Sequence, residues 1–259
     1  MHTRLVLLSS LLLLAATSGR GAISIYGSDT GADDLLLISA SSGMGTSLGD
    51  TGRNLVVGLA YDPVNEILFG ADAQTETLIS IDLETGNSTT IGSLDIEQVT
   101  SLAFDAVNGI LFAVDAVTDA LYMVNTSTGV ASSVGGLGFA GAMSGLAYDN
   151  GSGTLYGTDV TTNRLYSINT STGTATSIGS LGIGGVHGLG FDEESNTLYG
   201  TSINTDELVS INTSTGTATT IGPLGFGAVQ GLAIVPEPFG VHLIAMAFLA
   251  FLLRRSRRK

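Results

Sequence analysis

A block of about 43 residues recurs along this 259-residue chain and constrains its fold more than any other feature. Copies begin at Gly58, Ser101, Gly145 and Gly188, and a fifth start at Gly231 makes the spacing 43, 44, 43 and 43 residues. The third copy reads GLAYDNGSGTLYGTDVTTNRLYSINTSTGTATSIGSL. A period of this size, with four short strands in each repeat, is typical of the blades of a β-propeller.

Each block divides into four strand candidates, A to D. In the third copy these are Gly145–Asp149, Thr154–Asp159, Arg164–Asn169 and Thr174–Gly179. The links between them are rich in Asp, Asn and Gly, and the NTSTG link between strands C and D suits a type I turn closed by a left-handed glycine. The strands carry large residues on both faces, as expected when each sheet lies between two neighbours.

The two ends of the repeat region complement each other. Residues 23–49 align with strands B, C and D but have no strand A before them, whereas residues 231–235 form a strand A with nothing after it. We therefore predict an all-β, five-bladed propeller of four-stranded blades, closed when strand 231–235 joins strands 23–49. Closure leaves no unpaired terminal edge. The alternative is an open stack of blades that oligomerises.

Charge is distributed very unevenly. Between residues 22 and 235 there are 22 acidic residues and only Arg53 and Arg164 as basic ones, a net charge of −20. Nucleic-acid binding is excluded for this domain because phosphate contacts need Lys and Arg. The acidity suits a solvated extracellular surface. The chain has no Cys, which excludes disulfides and thiolate chemistry.

Both ends of the chain have the composition of targeting segments. Residues 1–21 combine a basic start, an apolar run and small residues, the layout of a secretory signal peptide. At the other end, two prolines precede an apolar stretch over 239–253, a short helix of 15 residues, and then the basic sequence RRSRRK. The positive-inside rule keeps that basic end in the cytoplasm and the propeller outside.

This C-terminal segment, residues 236–259 with the preceding Val235, resembles the PEP-CTERM sorting signal of Gram-negative bacteria. The matching features are Val-Pro-Glu-Pro, a short apolar helix and an arginine-rich end, in that order. The resemblance implies recognition by an exosortase-type processing enzyme, transient anchoring in the inner membrane, and delivery to the cell surface or exopolysaccharide matrix. The residues that carry it are Val235, Pro236, Glu237, Pro238, Arg254, Arg255, Arg257 and Arg258.

Positions that differ between the copies are better binding candidates than positions that repeat with the fold. The residue just before strand A is different in each blade, and five blades would place these residues around one mouth of the central channel. We predict this variable ring as the ligand-binding candidate. Its members are Val57, Thr100, Ser144, His187 and Gln230.

On the same face, strand B ends in an aspartate in four of the five blades. Two interpretations are open: the carboxylates cap turns by accepting backbone N–H bonds, or they contribute oxygen ligands to Ca²⁺. We favour turn capping because these residues repeat with the fold, and we expect no cofactor. The four residues are Asp29, Asp72, Asp115 and Asp159.

The sequence favours a function without catalysis. It contains no HExxH zinc motif, phosphate-binding loop or nucleophile elbow, and His187 has no evident catalytic partner. We expect an exported surface propeller that binds a ligand, with extracellular polysaccharide as a candidate partner, or that has a structural role. A propeller hydrolase or lyase acting on polysaccharide and a permanently membrane-tethered propeller are the alternatives.

Overall fold

Twenty strands make up the described part of the protein, in which no helix is long and apolar enough to span a membrane. The computed structural model describes residues 23–139 and 141–236, of which Ser24–Val235 form one compact unit. The predicted signal peptide (1–21), the helix 239–253 and the sorting-signal residues from Glu237 to Arg258 lie outside the described residues. The strands are β1 (Ile23–Asp29), β2 (Asp34–Ile38), β3 (Gly45–Asp50), β4 (Val56–Asp62), β5 (Ile67–Asp72), β6 (Thr77–Ile81), β7 (Ser88–Ser93), β8 (Val99–Asp105), β9 (Ile110–Asp115), β10 (Ala120–Val124), β11 (Ala131–Gly136), β12 (Met143–Asp149), β13 (Thr154–Asp159), β14 (Arg164–Ile168), β15 (Ala175–Ser180), β16 (Val186–Asp192), β17 (Thr197–Ser202), β18 (Glu207–Ile211), β19 (Ala218–Pro223) and β20 (Val229–Pro236).

The strands form five four-stranded antiparallel sheets, which confirms the predicted five-bladed propeller. Blades 2 to 5 each use four consecutive strands, starting with β4, β8, β12 and β16 as the innermost strand. Blade 1 has the order β20-β1-β2-β3, so the last strand of the chain supplies the inner strand of the first sheet. The inner strands of neighbouring blades lie side by side around the axis.

The hydrophobic core lies between blades. One cluster joins blades 2 and 3, and others join blades 3 and 4, blades 4 and 5, and blades 1 and 2. Aromatic residues recur at these contacts: Phe69 of blade 2 faces Phe104 of blade 3 with ring centroids 6.2 Å apart, and Tyr156 of blade 4 faces Phe191 of blade 5 at the same distance. The large residues on both strand faces are explained by this packing, because each sheet buries both its faces.

Glycines at two repeated positions let the outer parts of neighbouring blades touch. Gly92 in the outer strand of blade 2 lies against Thr128 and Gly129 in the C–D turn of blade 3, where a Cβ on Gly92 would overlap the Thr128 carbonyl oxygen. The same contact occurs at each of the other four blade junctions, and Gly222 of blade 5 meets Gly43 of blade 1. The repeated glycines of NTSTG and T-x-I-G are therefore required by blade-to-blade contact.

Closure of the ring is visible in hydrogen bonds between the two ends of the propeller. The Ser28 hydroxyl in β1 accepts a bond from the Gly231 amide of β20 (3.0 Å) and donates one to the Val56 carbonyl of blade 2 (2.7 Å). The Gly45 amide of blade 1 donates to the Leu224 carbonyl of blade 5 at 2.8 Å. The alternative of an open stack is not the arrangement of this structure.

Several predicted strand boundaries were wrong by one or two residues. Inner strands begin two residues earlier than predicted, for example at Met143 rather than Gly145, and the closing strand spans Val229–Pro236 rather than 231–235. Pro236 belongs to the strand, although the predicted strand ended at Val235. A proline is tolerated there because β20 is at the edge of its sheet, where the missing N–H faces no partner strand.

Candidate functional site

The variable ring occupies a β-bulge near the start of each inner strand. In blades 2 to 5 the pairing of the inner strand with its neighbour skips one residue, as between Val56 and Gly58 or between Val186 and Gly188. The skipped residues are Val57, Thr100, Ser144 and His187, and Gln230 has the same place in β20. A bulge redirects a side chain out of the regular pleat.

Most of the ring is engaged in contacts within the protein. Val57 is buried, and the Thr100 hydroxyl donates to the Met143 carbonyl of the next blade at 2.7 Å. The Ser144 hydroxyl is also buried and donates to the Val186 carbonyl at 3.2 Å. These hydroxyls link the inner strands of adjacent blades, a role that the sequence did not reveal.

His187 and Gln230 are partly exposed, and their side chains form no hydrogen bond to the next inner strand within the described residues. The Gln230 side-chain amide donates to the Thr30 hydroxyl at 3.1 Å. The imidazole of His187 forms no hydrogen bond within the described residues, and burial lowers its pKa below the ordinary value. His187 is therefore neutral at pH 7 and carries no charge into the ring.

A cavity among the described residues lies in the channel and does not include the variable ring. Its volume is about 70 Å³, room for a few water molecules. Because the inner strands are sheet edges, their unpaired backbone groups face the axis and need such water. The walls come from the later residues of the inner strands and from one turn: Leu59, Ala60, Tyr61, Leu102, Ala103, Phe104, Leu146, Ala147, Tyr148, Asn150, Leu189, Gly190, Phe191, Leu232, Ala233 and Ile234.

The repeated GLAYD segment of the sequence contains a signal for this end of the channel. The fourth residue of the repeated GLAYD segment is aromatic in blades 2 to 5 and is Ile234 in blade 1. Tyr148 is hydrogen bonded to Asp105 of the preceding blade, and burial together with this bond raises the pKa of Tyr148 to about 12. Burial alone would raise the pKa of Asp105, but bonds from Asn108, Tyr148 and Val107 hold it below the usual value.

The aspartates at the ends of strand B are held in their own turns. Asp159, fully buried, accepts bonds from the Thr161 amide (2.8 Å), the Thr162 hydroxyl (2.6 Å) and the Ala142 amide (3.0 Å) of the loop that enters the inner strand. Burial acts to raise the pKa of Asp159, but these bonds outweigh it and hold the pKa below its ordinary value.

The other three aspartates make comparable contacts. The carboxylate of Asp29 accepts from Gly31, that of Asp72 from Gln74 and Thr75, and that of Asp115 from Val117, Thr118 and Gln98. Arg53 also lies 3.6 Å from Asp72. Among residues 23–139 and 141–236, no group of three or more His, Asp or Glu side chains is placed to hold a metal ion.

The acidic residues of the B–C links have a conformational role. Asp33, Glu76, Asp119 and Asp206, with Asn163 in blade 4, all have positive φ values between 48° and 62°. The backbone carbonyl of each accepts a bond from the residue after the outer strand, as Glu76 does from Leu94 at 2.8 Å. Asp and Asn tolerate this left-handed conformation better than most residues, which accounts for their recurrence there.

Comparisons with known proteins agree with the architecture. No curated protein matches the sequence. Among solved structures, a chain from a nidogen/laminin complex is similar with a TM-score of 0.61 at 16% identity, covering 82% of this chain and 98% of that one. A protein of unknown function from Bacteroides thetaiotaomicron has a TM-score of 0.55 at 16% identity, covering 79% and 58%. Virginiamycin B lyase from Staphylococcus aureus has a TM-score of 0.48 at 14% identity, covering 75% and 64%.

At these identities the nidogen/laminin and Bacteroides thetaiotaomicron structures indicate the fold and no activity. A family model described as a repeat of unknown function, DUF6923, matches residues 23–179, which is more than half of the chain. The matched segment comprises blades 2 and 3, the first three strands of blade 4 with most of its fourth, and β1 to β3 of blade 1. The chain belongs to the DUF6923 repeat family.

Proposed function

We propose that this protein is an exported propeller that binds a partner, or has a structural role, at the cell surface without catalysing a reaction. The observation that carries the proposal is the small volume of the cavity in the channel. A cavity of about 70 Å³ is far below the volume of roughly 300–1,000 Å³ that small-molecule sites usually offer. Recognition therefore takes place on the outer surfaces of the propeller.

The sequences at the two ends of the chain support export to the cell surface. The signal-peptide layout of residues 1–21 and the PEP-CTERM-like segment after Val235 favour export, transient anchoring in the inner membrane and handling by an exosortase-type enzyme. A location at the surface of a Gram-negative bacterium, or in its exopolysaccharide matrix, follows from this resemblance. A tail that stays in place as a permanent anchor is the competing arrangement.

Extracellular polysaccharide is the partner that we favour. The outer strands present pairs of exposed hydroxyl side chains in every blade, such as Thr89 and Thr90 in β7 or Thr176 and Ser177 in β15. Hydroxyl groups both donate and accept hydrogen bonds, which suits sugar hydroxyls. The net charge of −20 between residues 22 and 235 opposes binding to nucleic acid.

The proposal also includes that the protein has no catalytic activity and needs no cofactor. Two strand-end carboxylates, Asp105 and Asp159, already accept several hydrogen bonds and have lowered pKa values, so neither is suited to act as a proton donor near pH 7. Ca²⁺ at Asp29, Asp72, Asp115 and Asp159 is not required by this proposal, because each carboxylate is engaged in its own blade. A melting temperature that rises in millimolar Ca²⁺ relative to EDTA would show a metal site.

Mass spectrometry of the protein purified from cells tests the proposed export and C-terminal processing. The full-length chain is expressed in a Gram-negative host with and without an exosortase-type enzyme. We expect the mature form to lack residues 1–21 and, only when the enzyme is present, the RRSRRK end. An intact basic end in both hosts supports the permanent tether and counts against processing.

A glycan-binding screen tests the function. The protein is applied to extracellular polysaccharides from matrix-forming bacteria, with hydrolysis products measured in parallel. We expect retention without release of smaller sugars. Double substitution of Thr176 and Ser177 by Ala should weaken retention, whereas His187→Ala at the variable ring is the comparison variant. Steady release of oligosaccharides would favour the hydrolase or lyase alternative.

A further inference from the structure

A hydrogen-bonded clamp joins the A–B turns of three consecutive blades. At its centre the Asn150 side-chain oxygen accepts a bond from the Ala106 amide of blade 3 at 2.7 Å. The Glu193 carboxylate of blade 5 accepts from the Asn150 amide (2.6 Å), the Asn150 side-chain nitrogen (3.2 Å) and the Gly151 amide (3.1 Å). Both ends of the Asn150 amide are thus held by other blades.

An asparagine followed by glycine is chemically reactive. The backbone nitrogen of the next residue can attack the side-chain carbonyl carbon, and glycine opposes this least because it has no side chain to obstruct the ring that forms. Asn150 is partly exposed and Gly151 is exposed, so water reaches the turn. The attack requires the asparagine side chain to rotate and the Gly151 nitrogen to lose its proton.

We propose that Asn150–Gly151 is a deamidation site that the clamp, through Glu193, holds unreactive while the blades are in contact. The hydrogen bonds to Ala106 and Glu193 prevent rotation of the Asn150 side chain. A carboxylate beside the Gly151 amide also disfavours the negative charge that forms when that nitrogen loses its proton. Reaction then needs an opening of the blade 4 to blade 5 contact.

The reaction balances without any redox partner. The Gly151 nitrogen loses its proton to solvent and forms a bond to Cγ of Asn150, and the Cγ–Nδ2 bond breaks. Ammonia leaves, taking a proton from solvent, and a five-membered succinimide remains. Water then opens this ring to give aspartate or isoaspartate at position 150.

The product cannot rebuild the clamp. The nitrogen that donated to Glu193 is replaced by an oxygen that only accepts, and two carboxylates face each other where one carboxylate and an amide had met. Like charges at this distance repel, so the turn of blade 4 separates from that of blade 5. A single chemical event thereby marks molecules whose blades have opened.

A second Asn-Gly pair in the chain provides an internal comparison. Asn108–Gly109 occupies the equivalent turn of blade 3, but its contacts are to its own turn: the Asn108 side chain donates to Asp105 (2.7 Å), and the Gly109 amide donates to the Asp105 carbonyl (2.8 Å). Loss of contact between blades leaves these bonds in place. The reactivity of Asn108 therefore does not depend on Glu193.

Peptide mapping by mass spectrometry after incubation of the full-length protein at mildly alkaline pH tests the proposal. We expect Glu193→Ala to accelerate deamidation of Asn150 by about tenfold or more, since a hydrogen bond to a charged acceptor restrains such opening by an order of magnitude or more in population. Asn108, measured in the same samples, should react at the wild-type rate.

Two further variants make the result decisive. Glu194→Ala removes the neighbouring carboxylate, which is bonded to neither Asn150 nor Gly151, and should leave the Asn150 rate unchanged. Gly151→Ala, whose added Cβ would lie 3.3 Å from its nearest neighbours, should suppress the acceleration in the Glu193→Ala background because a succinimide then forms slowly. Equal Asn150 rates in wild type and Glu193→Ala overturn the proposal, as does equal acceleration at Asn108 and Asn150, which indicates general unfolding.

Discussion

At the scale of single residues, carboxylates and hydroxyls in this protein serve mainly to hold turns and strands together. Asp159 connects its own turn to the loop that enters the inner strand, and Ser28 connects β20, β1 and β4. The Thr201 hydroxyl repeats the Ser28 arrangement in blade 5, accepting from Gly188 and donating to Val229. These three side chains therefore act as structural links between strands and turns.

Replacing Asp159 should reveal its structural contribution. Asp159→Ala leaves two backbone amides and a hydroxyl without a charged acceptor in a buried place, and we expect a loss of about 2–4 kcal/mol in the free energy of unfolding. Because the folded-state pKa of Asp159 is lowered, its contribution is present above the unfolded-state pKa and is lost as pH falls through the folded-state pKa. Urea unfolding at neutral and acidic pH should show a smaller difference between the two proteins in acid.

Ser202→Ala is a suitable control for that measurement. Ser202 stands where the other blades have Asp, and its uncharged hydroxyl donates to the Gly184 carbonyl at 2.9 Å. Its removal should cost about 1 kcal/mol, equally at both pH values. A pH-independent loss in Asp159→Ala would contradict the assignment of a charged acceptor.

Tyr148 should make stability depend on alkaline pH. Its folded-state pKa of about 12 is above the ordinary value of 10, so the stabilisation is complete below pH 10 and is lost as pH rises towards 12. Tyr148→Phe removes the bond to Asp105, and we expect a loss of about 1–2 kcal/mol at pH 8 that shrinks above pH 10. Tyr61→Phe serves as the comparison: burial and the charges of Glu66 and Asp62 also raise the pKa of Tyr61, but no hydrogen bond to a carboxylate contributes, so the loss at pH 8 should be smaller. An unchanged alkaline profile in Tyr148→Phe is the result that rejects this role.

At the scale of elements, glycines and bulges fit four-stranded sheets into a ring. Every outer strand carries a glycine that meets the glycine turn of the next blade. Every outer strand also has a register irregularity against its neighbour, as between Leu78 and Ile79. Such bulges twist a sheet edge and oppose pairing with other proteins, which matters for outer strands that contain few charges.

Alanine substitutions at two glycines should distinguish the cost of a steric clash between blades from the cost of a left-handed backbone. Gly92→Ala forces a Cβ into the Thr128 carbonyl without any left-handed backbone, and we expect a loss of about 3 kcal/mol or more in unfolding free energy. Gly109→Ala has open space but a φ of +68°, so only the conformational cost of about 1 kcal/mol applies. Chemical denaturation of both variants measures the difference, and equal losses would refute the contact between blades as the reason for Gly92.

At the scale of the whole molecule, stability depends on pairing between the first and last strands of the propeller, β1 and β20. Blade 1 is complete only when β20 pairs with β1, and the same strand packs against Leu59 of blade 2 and beside Gly188 of blade 5. Each blade buries both faces, so a missing inner strand exposes the cores of two neighbours. We therefore expect closure by a late strand to make folding of the ring all-or-none.

Truncation should show this dependence directly. A chain ending at Pro236 keeps all 20 strands, and we expect it to unfold cooperatively with the melting temperature of the longer protein. A chain ending at Ala228 lacks β20 and leaves the inner edge of β1 without a partner strand, so it should lose its cooperative transition and aggregate through that edge. A folded monomer with the shorter chain would disprove closure as the main source of stability. Circular dichroism and size-exclusion chromatography provide the measurements.

The sequence by itself determined the number of blades, the strand order and the closing strand. These are visible in one dimension because a repeat of about 43 residues displays its strands, turns and glycines several times, and because the missing strand of the first copy matches the spare strand at Gly231. Turn capping by the strand-end aspartates was also favoured from sequence, since a residue that repeats with the fold usually serves the fold.

Only the tertiary structure decided what the non-repeated residues touch. Thr100 and Ser144 differ between copies, yet their hydroxyls bond to the next inner strand, and the cavity lies elsewhere, beside Tyr148 and Asn150. The link from Asn150 to Glu193 joins residues 43 positions apart in two blades. Contacts across blades depend on the closing of the ring, so periodicity within a copy predicts the strands and cannot predict which side chains meet between them.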